Sequence, residues 1–561
     1  MTRGKSILPL VRRVVANFRR RTTRVAKIAT QFNRLVVYGF DLVLWSRIFA
    51  GRRGVIPLGL PPTLLEKKSI HRPPPFLHVS GVPETTHYFG EAFAAMNALL
   101  FANLQNPDIL SKLRYAHPGP AFRGVYLWDS AFIAQIWKYW DRAVACEILE
   151  AVIELRDGDR LQHVVADLVQ SAFTQPPLIA WSASHVFRGG SFDSDVAFLE
   201  RIYEPLKRYN AWLYEHRALP NGLFAWAHPY ESGVENSPRF ATRDESQLLD
   251  TRNIAAPDFS AYVVLQNEAL EKIARWLGHP KDSQTFAEKA KNLREKANAY
   301  LWHEAQGLYF DRDTTNDEFI PSRTIASLLP LWAGIPSEER AKRLLEHVLD
   351  PDQFASEIPL PSVAVSDTNF EKDMWRGPVW INTAFGVLCG LRRYGFLQEA
   401  ATIAFKLCDG VYHVFDQQRR VYEFYDPHQH STLELDRKRG NRWKALTLGK
   451  APQREFVGWT GLVNTLIIEF LFGFRWEEGR RLVQPCFPKE CAGLGFSLRL
   501  PAEQISIDFD IFEQDRYRGA IRRLDGTREF DARFGDLIDI DLLFQQPAEP
   551  YPKPTSSHAL R

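Results

Sequence analysis

The sequence predicts a mainly α-helical fold built from paired helices, with a basic segment ahead of it and a small antiparallel β unit behind. Three observations predict this. From about Tyr88 to Phe472 apolar residues recur with helical period in segments of about 12–18 residues. Short loops rich in Gly, Pro, Asn and Asp join successive segments. From about Arg481 the apolar period shortens to two.

The helical segments are expected over residues 91–103, 130–140, 143–155, 161–173, 195–216, 260–277, 282–301, 337–349, 379–394 and 397–409. Many come in pairs separated by short turns, which makes them antiparallel hairpins. A closed ring of such hairpins buries every inner face, and an open solenoid satisfies the same period. After this region GFSLRLP, QISIDFDIF and DLIDIDLLF place apolar residues at alternate positions and read as strands of a β unit over 481–546. The Pro-rich end, 547–561, is expected to be disordered. Residues 54–80 contain RPPPF (72–76) and read as a linker, which leaves 81–480 as the helical domain.

Residues 1–53 carry 13 Lys and Arg against the single acid Asp41, although the 561-residue chain has a net charge of only +3. That leaves 57 basic and 66 acidic residues over 54–561, so the body has no charge excess suited to nucleic acid. The head lacks the apolar run and small-residue cleavage site of a secretory signal. Residues 35–50 are apolar but too short to span a bilayer and are broken by Asp41 and Arg47. An amphipathic helix on an anionic membrane, an organelle presequence and a solvated helix docked on the body all fit the head. Five cysteines without a regular framework fit a reducing compartment, so the expected location is the cytoplasm, with or without peripheral membrane contact.

Aromatic residues make up 13% of the chain and include 15 Trp, whose flat apolar faces suit sugar rings. Cleaving a glycosidic bond needs two carboxyl groups on opposite sides of it, one to give a proton and one to activate water or attack. Two loops set acids among aromatic, Gly and amide residues. AHPYESGVENSPRF (227–240) holds Glu231 and Glu235 beside Asn236, and Gly233 and Pro238 make it irregular. RVYEFYDPHQHST (420–432) holds Glu423 between Tyr422 and Phe424, with Asp426 as second candidate. Three further segments are of interest. They are RGVYLWDSAF with Tyr126, Trp128 and Asp129, QPP with Gln175, and DMWRGPVWINTAF with Trp375, Arg376 and Trp380, where Pro378 suits a first helical turn. FVGWTGL follows with Trp459.

These segments, in this order, resemble those of glycoside hydrolase family 63 and its mannosylglycerate hydrolase-like and trehalase-like six-hairpin relatives. The resemblance runs from Arg123 to Trp459. It implies an (α/α)6 toroid with the site at the mouth where the loops converge, and an inverting α-glycosidase acting on an α-glucoside or α-mannoside. Glucosylglycerate, mannosylglycerate or a small oligosaccharide is the implied substrate. Glu235 takes the general-acid position, where the family carries Asp, and Glu423 the general-base position. Glu231 is implied to hold substrate or to orient its neighbour, while Tyr126, Trp128, Asp129, Gln175, Asn236, Trp375, Arg376, Trp380 and Trp459 are implied to contact sugar. No metal or organic cofactor is implied. Two other classes fit parts of the sequence: a sugar-binding protein with weakened catalysis, supported by Glu in place of Asp at 235, and a membrane-surface scaffold that works through its basic head.

Overall fold

The computed structural model describes residues 70, 72–81, 86–108, 110–166, 169–189, 193–240, 250–439, 448–513 and 515–545. The readings of a basic helical head, of its membrane contact and of a disordered tail fall outside the described residues. No helix among the described residues is long and apolar enough to cross a membrane.

Helices dominate the chain as far as Leu466: α1 (Phe89–Asn103), α2 (Leu127–Trp137), α3 (Arg142–Glu154), α4 (Ile179–Val186), α5 (Asp193–His216), α6 (Pro257–Trp276), α7 (Pro280–Tyr300), α8 (Glu338–Leu349), α9 (Ile381–Arg393), α10 (Leu397–Gln418) and α11 (Leu462–Leu466). Local chemistry starts several of them. The Asp141 carboxylate accepts from Ala143 N and Val144 N to open α3, the Ser337 hydroxyl accepts from Arg340 N to open α8, and Pro257 and Pro280 sit in the first turns of α6 and α7.

Burial sorts these helices into two kinds. Every residue of α2 is buried, and α6 and α9 are buried over most of their length. In contrast α7 buries only Phe286, Ala290, Leu293 and Ala297, and α8 only Ala341, Leu344 and Val348, the narrow stripe of a helix with one face in water. The buried set closes on itself. Contacts run from α2 to α4 to α6, through the tight turn Leu329–Leu331 to α9, then to α11 and back to α2. The half-exposed set lies outside, with α3 on α2 and α4, α7 on α6, and α10 on α9 and α11. A short 3-10 turn, Leu329–Leu331, fills one inner position in place of an α-helix.

Three expectations require correction. Residues 161–173 are not helical: Val164–Ala166 pairs antiparallel with Val125–Tyr126 and with Val169–Gln170. Two consecutive β-branched residues, Val164 and Val165, favour the extended form, and the His163 carbonyl is used by Leu127 N at 3.0 Å rather than by its own segment. The end of the Pro-rich segment is also ordered. Phe76–Ser80 forms β1 and pairs residue by residue with Gly495–Leu500, from Phe76 opposite Arg499 to Ser80 opposite Gly495. Finally, DLIDIDLLF is not one strand, because Ile538–Asp539 pairs with Leu482 and Val483 and a short helix, Ile540–Gln545, follows.

The C-terminal sheet has the order β1, β2 (Gly495–Leu500), β3 (Ile505–Glu513), β4 (Arg516–Arg523), β5 (Gly526–Arg533), antiparallel throughout. Its buried face carries Phe496, Leu498 and Leu500 from β2 and Ile505, Ile507, Phe509 and Ile511 from β3, the period-two pattern of a sheet with one face covered.

Candidate active site

The loop between α5 and α6 is tied down on both sides of Glu235. Four residues before it, Glu231 is fully buried in a bidentate pair with Arg217 (Oε1 to Nη2 2.6 Å, Oε2 to Nε 2.9 Å), and the same carboxylate accepts from Ala227 N at 2.9 Å and Thr174 N at 3.3 Å. Four residues after it, Arg239 is buried between Asp258 (2.7 and 2.8 Å) and Asp311 (2.6 Å). Burial beside Asp258 raises the Asp311 carboxyl to about 6 against the pull of Arg239. Between these anchors Gly233 adopts φ +75°, and a Cβ there would stand 2.5 Å from a ring carbon of Trp128. Only glycine permits both the turn and the contact. Glu235 is thereby presented with its Oε1 3.0 Å from the Lys438 ammonium.

Glu423 is held by its backbone as well as its carboxylate. Its N–H donates to the Gln453 carbonyl at 3.0 Å, and its carbonyl accepts from the Trp459 indole at 2.8 Å. The carboxylate forms an ion pair with Arg437 and accepts from Gln453 N at 3.4 Å. Complete burial lowers the Arg437 guanidinium to about 10 while Glu235 and Asp373 pull it upward, so it stays charged at neutral pH. Arg437 and Lys438 are consecutive, so one dipeptide meets both carboxylates.

Asn236 ties the Glu235 loop to the 373–376 turn. Its amide oxygen accepts from Trp375 N at 3.0 Å, its amide nitrogen lies 3.4 Å from the Asp373 carboxylate, and its carbonyl lies 3.4 Å from Arg376 Nη1. Around this junction stands an aromatic wall. Trp375 stacks on Trp380 at 3.7 Å, Trp380 stacks on Phe424 at 4.6 Å, and Trp128 packs edge-on against Trp459 at 5.9 Å. Asp129, at the start of α2, is buried there, and loss of solvent raises its carboxyl to about 8. A buried carboxyl kept neutral beside a wall of Trp is the kind of group that functional sites use.

A family model for the mannosylglycerate hydrolase MGH1-like glycoside hydrolase domain matches residues 123–442, from ahead of Trp128 to beyond Lys438. The chain belongs to this family. It is a glycoside hydrolase. It is 26% identical over 372 residues to the mannosylglycerate hydrolase of Thermus thermophilus, covering 54% of this chain and 88% of that one. A solved GH63 mannosylglycerate hydrolase of Thermus thermophilus, in complex with glucose, superposes with a TM-score of 0.56 at 24% identity, over 66% of this chain and 99% of that one. The neutral trehalase Nth1 of Saccharomyces cerevisiae superposes with a TM-score of 0.50 at 19% identity, over 64% and 74% of the two chains.

In this glycoside hydrolase Glu235 and Glu423 meet at the Arg437–Lys438 dipeptide, Asn236 meets Asp373, Trp375 and Arg376, and Trp128 and Glu423 each meet Trp459. Tyr126 packs on Phe122 and His163 beside them. Several expected sugar contacts are otherwise engaged. Glu231 spends its carboxylate on Arg217 and two backbone amides, which makes it a holder of the loop rather than of substrate. Trp380 has both faces covered, by Trp375 and Phe424, and its indole N–H donates to Met374 O. Arg376 lies 3.4 Å from Glu371. Gln175 turns its amide toward the Trp128 indole (3.3 Å) and His163 Nε2 (2.9 Å), so it orients the tryptophan. Asp426, the second candidate base, is buried on Lys372 at 2.7 Å and accepts from His428 N at 2.9 Å.

The sequence reading missed Arg437, Lys438 and Asp373 as site residues. The run Asp436-Arg-Lys-Arg was the available signal, because four consecutive charges beside two acid-bearing loops are more than a solvated turn requires. Asp373, raised to about 6 mainly by burial, accepts from Arg439 N at 3.0 Å.

Proposed function

We propose that the protein is an inverting α-glycosidase on an (α/α)6 toroid, with Glu235 as general acid and Glu423 as general base. The observation that carries this is the meeting of both carboxylates at one dipeptide, Glu423 at Arg437 and Glu235 at Lys438, from loops far apart in the chain. The closed circuit of buried helices with partners outside supports the toroid.

A general base must be ionised before it receives its proton, and the permanently charged Arg437 favours that state for Glu423. Glu423 takes a proton from the attacking water while Glu235 protonates the departing oxygen, and inversion requires the two carboxyls to stand ~6.5–9.5 Å apart to admit that water. Trp128 and Trp459 offer apolar ring edges to the sugar. Asp129, raised to about 8 by burial, carries a proton at neutral pH and can donate it in a hydrogen bond to a sugar hydroxyl. The substrate class we favour is an α-mannoside or α-glucoside of a small hydroxy acid, on the strength of the mannosylglycerate hydrolase relatives. Five unpaired cysteines suit work in the reducing cytoplasm.

Proton NMR of the protein with α-mannosyl and α-glucosyl glycerates and neutral α-glycosides tests the proposal. The β-anomer of the released sugar should appear first. Early α-anomer would refute inversion, and no release from folded protein would refute the enzyme roles of Glu235 and Glu423. A second reading, a sugar-binding protein with weakened catalysis, draws on one feature: a lysine sits on the carboxyl that has to carry the proton. Sugar binding without any release favours it.

A further inference from the structure

We propose that Lys438 is a positioning residue that acts through Glu235, holding the acid-side carboxylate ionised in the unliganded protein and releasing it only when an anionic leaving group takes over the ammonium. This rests on the assignment of Glu235 as general acid.

A general acid has to be protonated when the glycosidic bond breaks. Yet the Lys438 ammonium stands 3.0 Å from Glu235 Oε1, and the two side chains are only 5% and 11% exposed. So close a cation, away from water, favours the charged carboxylate. The resting arrangement is thus set against the chemistry it serves.

The lysine is placed there by its backbone. Lys438 has φ +52°, a left-handed conformation that lysine adopts at a cost. Its neighbours impose it: Arg437 N donates to the Lys450 carbonyl at 2.7 Å, and Arg439 N donates to the Asp373 carboxylate at 3.0 Å. The backbone is therefore clamped on either side of Lys438. Charged groups around it among the described residues include Glu235, Asp373, Arg437 and the Arg439–Asp436 pair. Asp373 already opposes the loss of its proton, being raised to about 6 by burial with Lys438 pulling the other way.

A carboxylate arriving on the substrate changes this balance. It competes with Glu235 for the ammonium and adds a further negative charge beside it, and both effects favour a proton on Glu235. One proton then passes from solvent to Glu235 on binding and is later delivered to the leaving oxygen, while the base removes one from water. A neutral leaving group makes no such exchange and leaves the acid ionised. Selectivity for anionic glycosides arises here from completing the acid rather than from added affinity.

Isothermal titration of the full-length protein with D-glycerate near neutral pH, in two buffers of different ionisation enthalpy, counts protons taken up on binding. We expect uptake approaching one proton per site in the wild type, loss of it in Lys438→Met and Glu235→Gln, and its retention in Lys438→Arg. In turnover, Lys438→Met should narrow the preference for anionic over neutral α-glycosides by about tenfold or more, the equivalent of one pKa unit, while Lys438→Arg keeps it. Absence of glycerate binding, binding without proton uptake, or equal uptake in Glu235→Gln overturns the proposal. Sugar release that persists without proton uptake removes only the role of Lys438, whereas uptake with no sugar release from any glycoside removes the glycosidase reading.

Discussion

Glu423 and Glu235 are two buried carboxylates of one residue type, and the groups around them differ in kind. Glu423 is fixed through its backbone N–H, its carbonyl and its carboxylate, and its partner is an arginine that stays charged. Glu235 is flanked by the Glu231–Arg217 pair and the Arg239–Asp258–Asp311 cluster, and its own carboxylate meets the Lys438 ammonium. A base needs one protonation state before the reaction and is served by a permanent charge. An acid needs a proton that it can lose and regain, and is served by a frame that fixes its position while leaving its charge adjustable.

The largest expected effect breaks this comparison directly. Glu423→Gln should lower kcat by roughly 10²–10⁴-fold, the usual contribution of a positioned acid or base, on every substrate. Glu235→Gln should lose as much on a natural glycoside but recover to within about tenfold of wild type on an aryl glycoside whose leaving group needs no proton. Recovery of Glu423→Gln alone would exchange the assigned roles, and equal recovery of both variants would erase them. Recovery of Glu235→Gln alone sharpens them.

The two loops also differ in how far sequence exposes them. Both loops were legible as irregular segments because aromatic, Gly and Pro neighbours mark a loop that is neither a helix face nor a solvated turn. The helices were legible too, since the period around α3, α7 and α8 survives packing. What stayed hidden depends on partners remote in sequence. Nothing local says that Glu231 meets Arg217 rather than water, or that Lys438 meets Glu235 instead of one of the chain's 67 acids. The strand at Val164–Ala166 lies in a segment with helical apolar spacing and is decided by pairing with Val125–Tyr126. Strands β4 and β5 read RYRGAIRR and GTREFDAR, where Gly519 and Arg528 stand at inward-facing positions and blur the alternation.

A second, smaller effect tests whether the acid loop is framed from outside. Arg239→Met leaves Asp258 and Asp311 buried without their shared cation, a change that costs about 3–5 kcal/mol in comparable sites. Denaturant unfolding should show the loss as a lower midpoint with little change in slope. If the midpoint holds while activity falls, the cluster positions Glu235 without stabilising the fold.

The last test concerns Asp129, next to Trp128 in the first turn of α2. Burial raises its carboxyl to about 8, so between its ordinary value near 4 and about 8 the folded protein binds a proton there that the unfolded chain has released. The sign follows: over that interval the unfolded state holds fewer protons, and this group's contribution to stability falls as pH rises, to become constant above about 8. Asp129→Asn keeps the shape and a hydrogen-bond donor but removes the titration. Melting temperature measured from pH 5 to 9 should therefore decline more gently in the variant than in the wild type, the two curves separating toward high pH. Parallel curves would mean that Asp129 is ionised when folded, which would take from it the proton that a neutral acid offers to a sugar hydroxyl and leave sugar orientation to the aromatic wall.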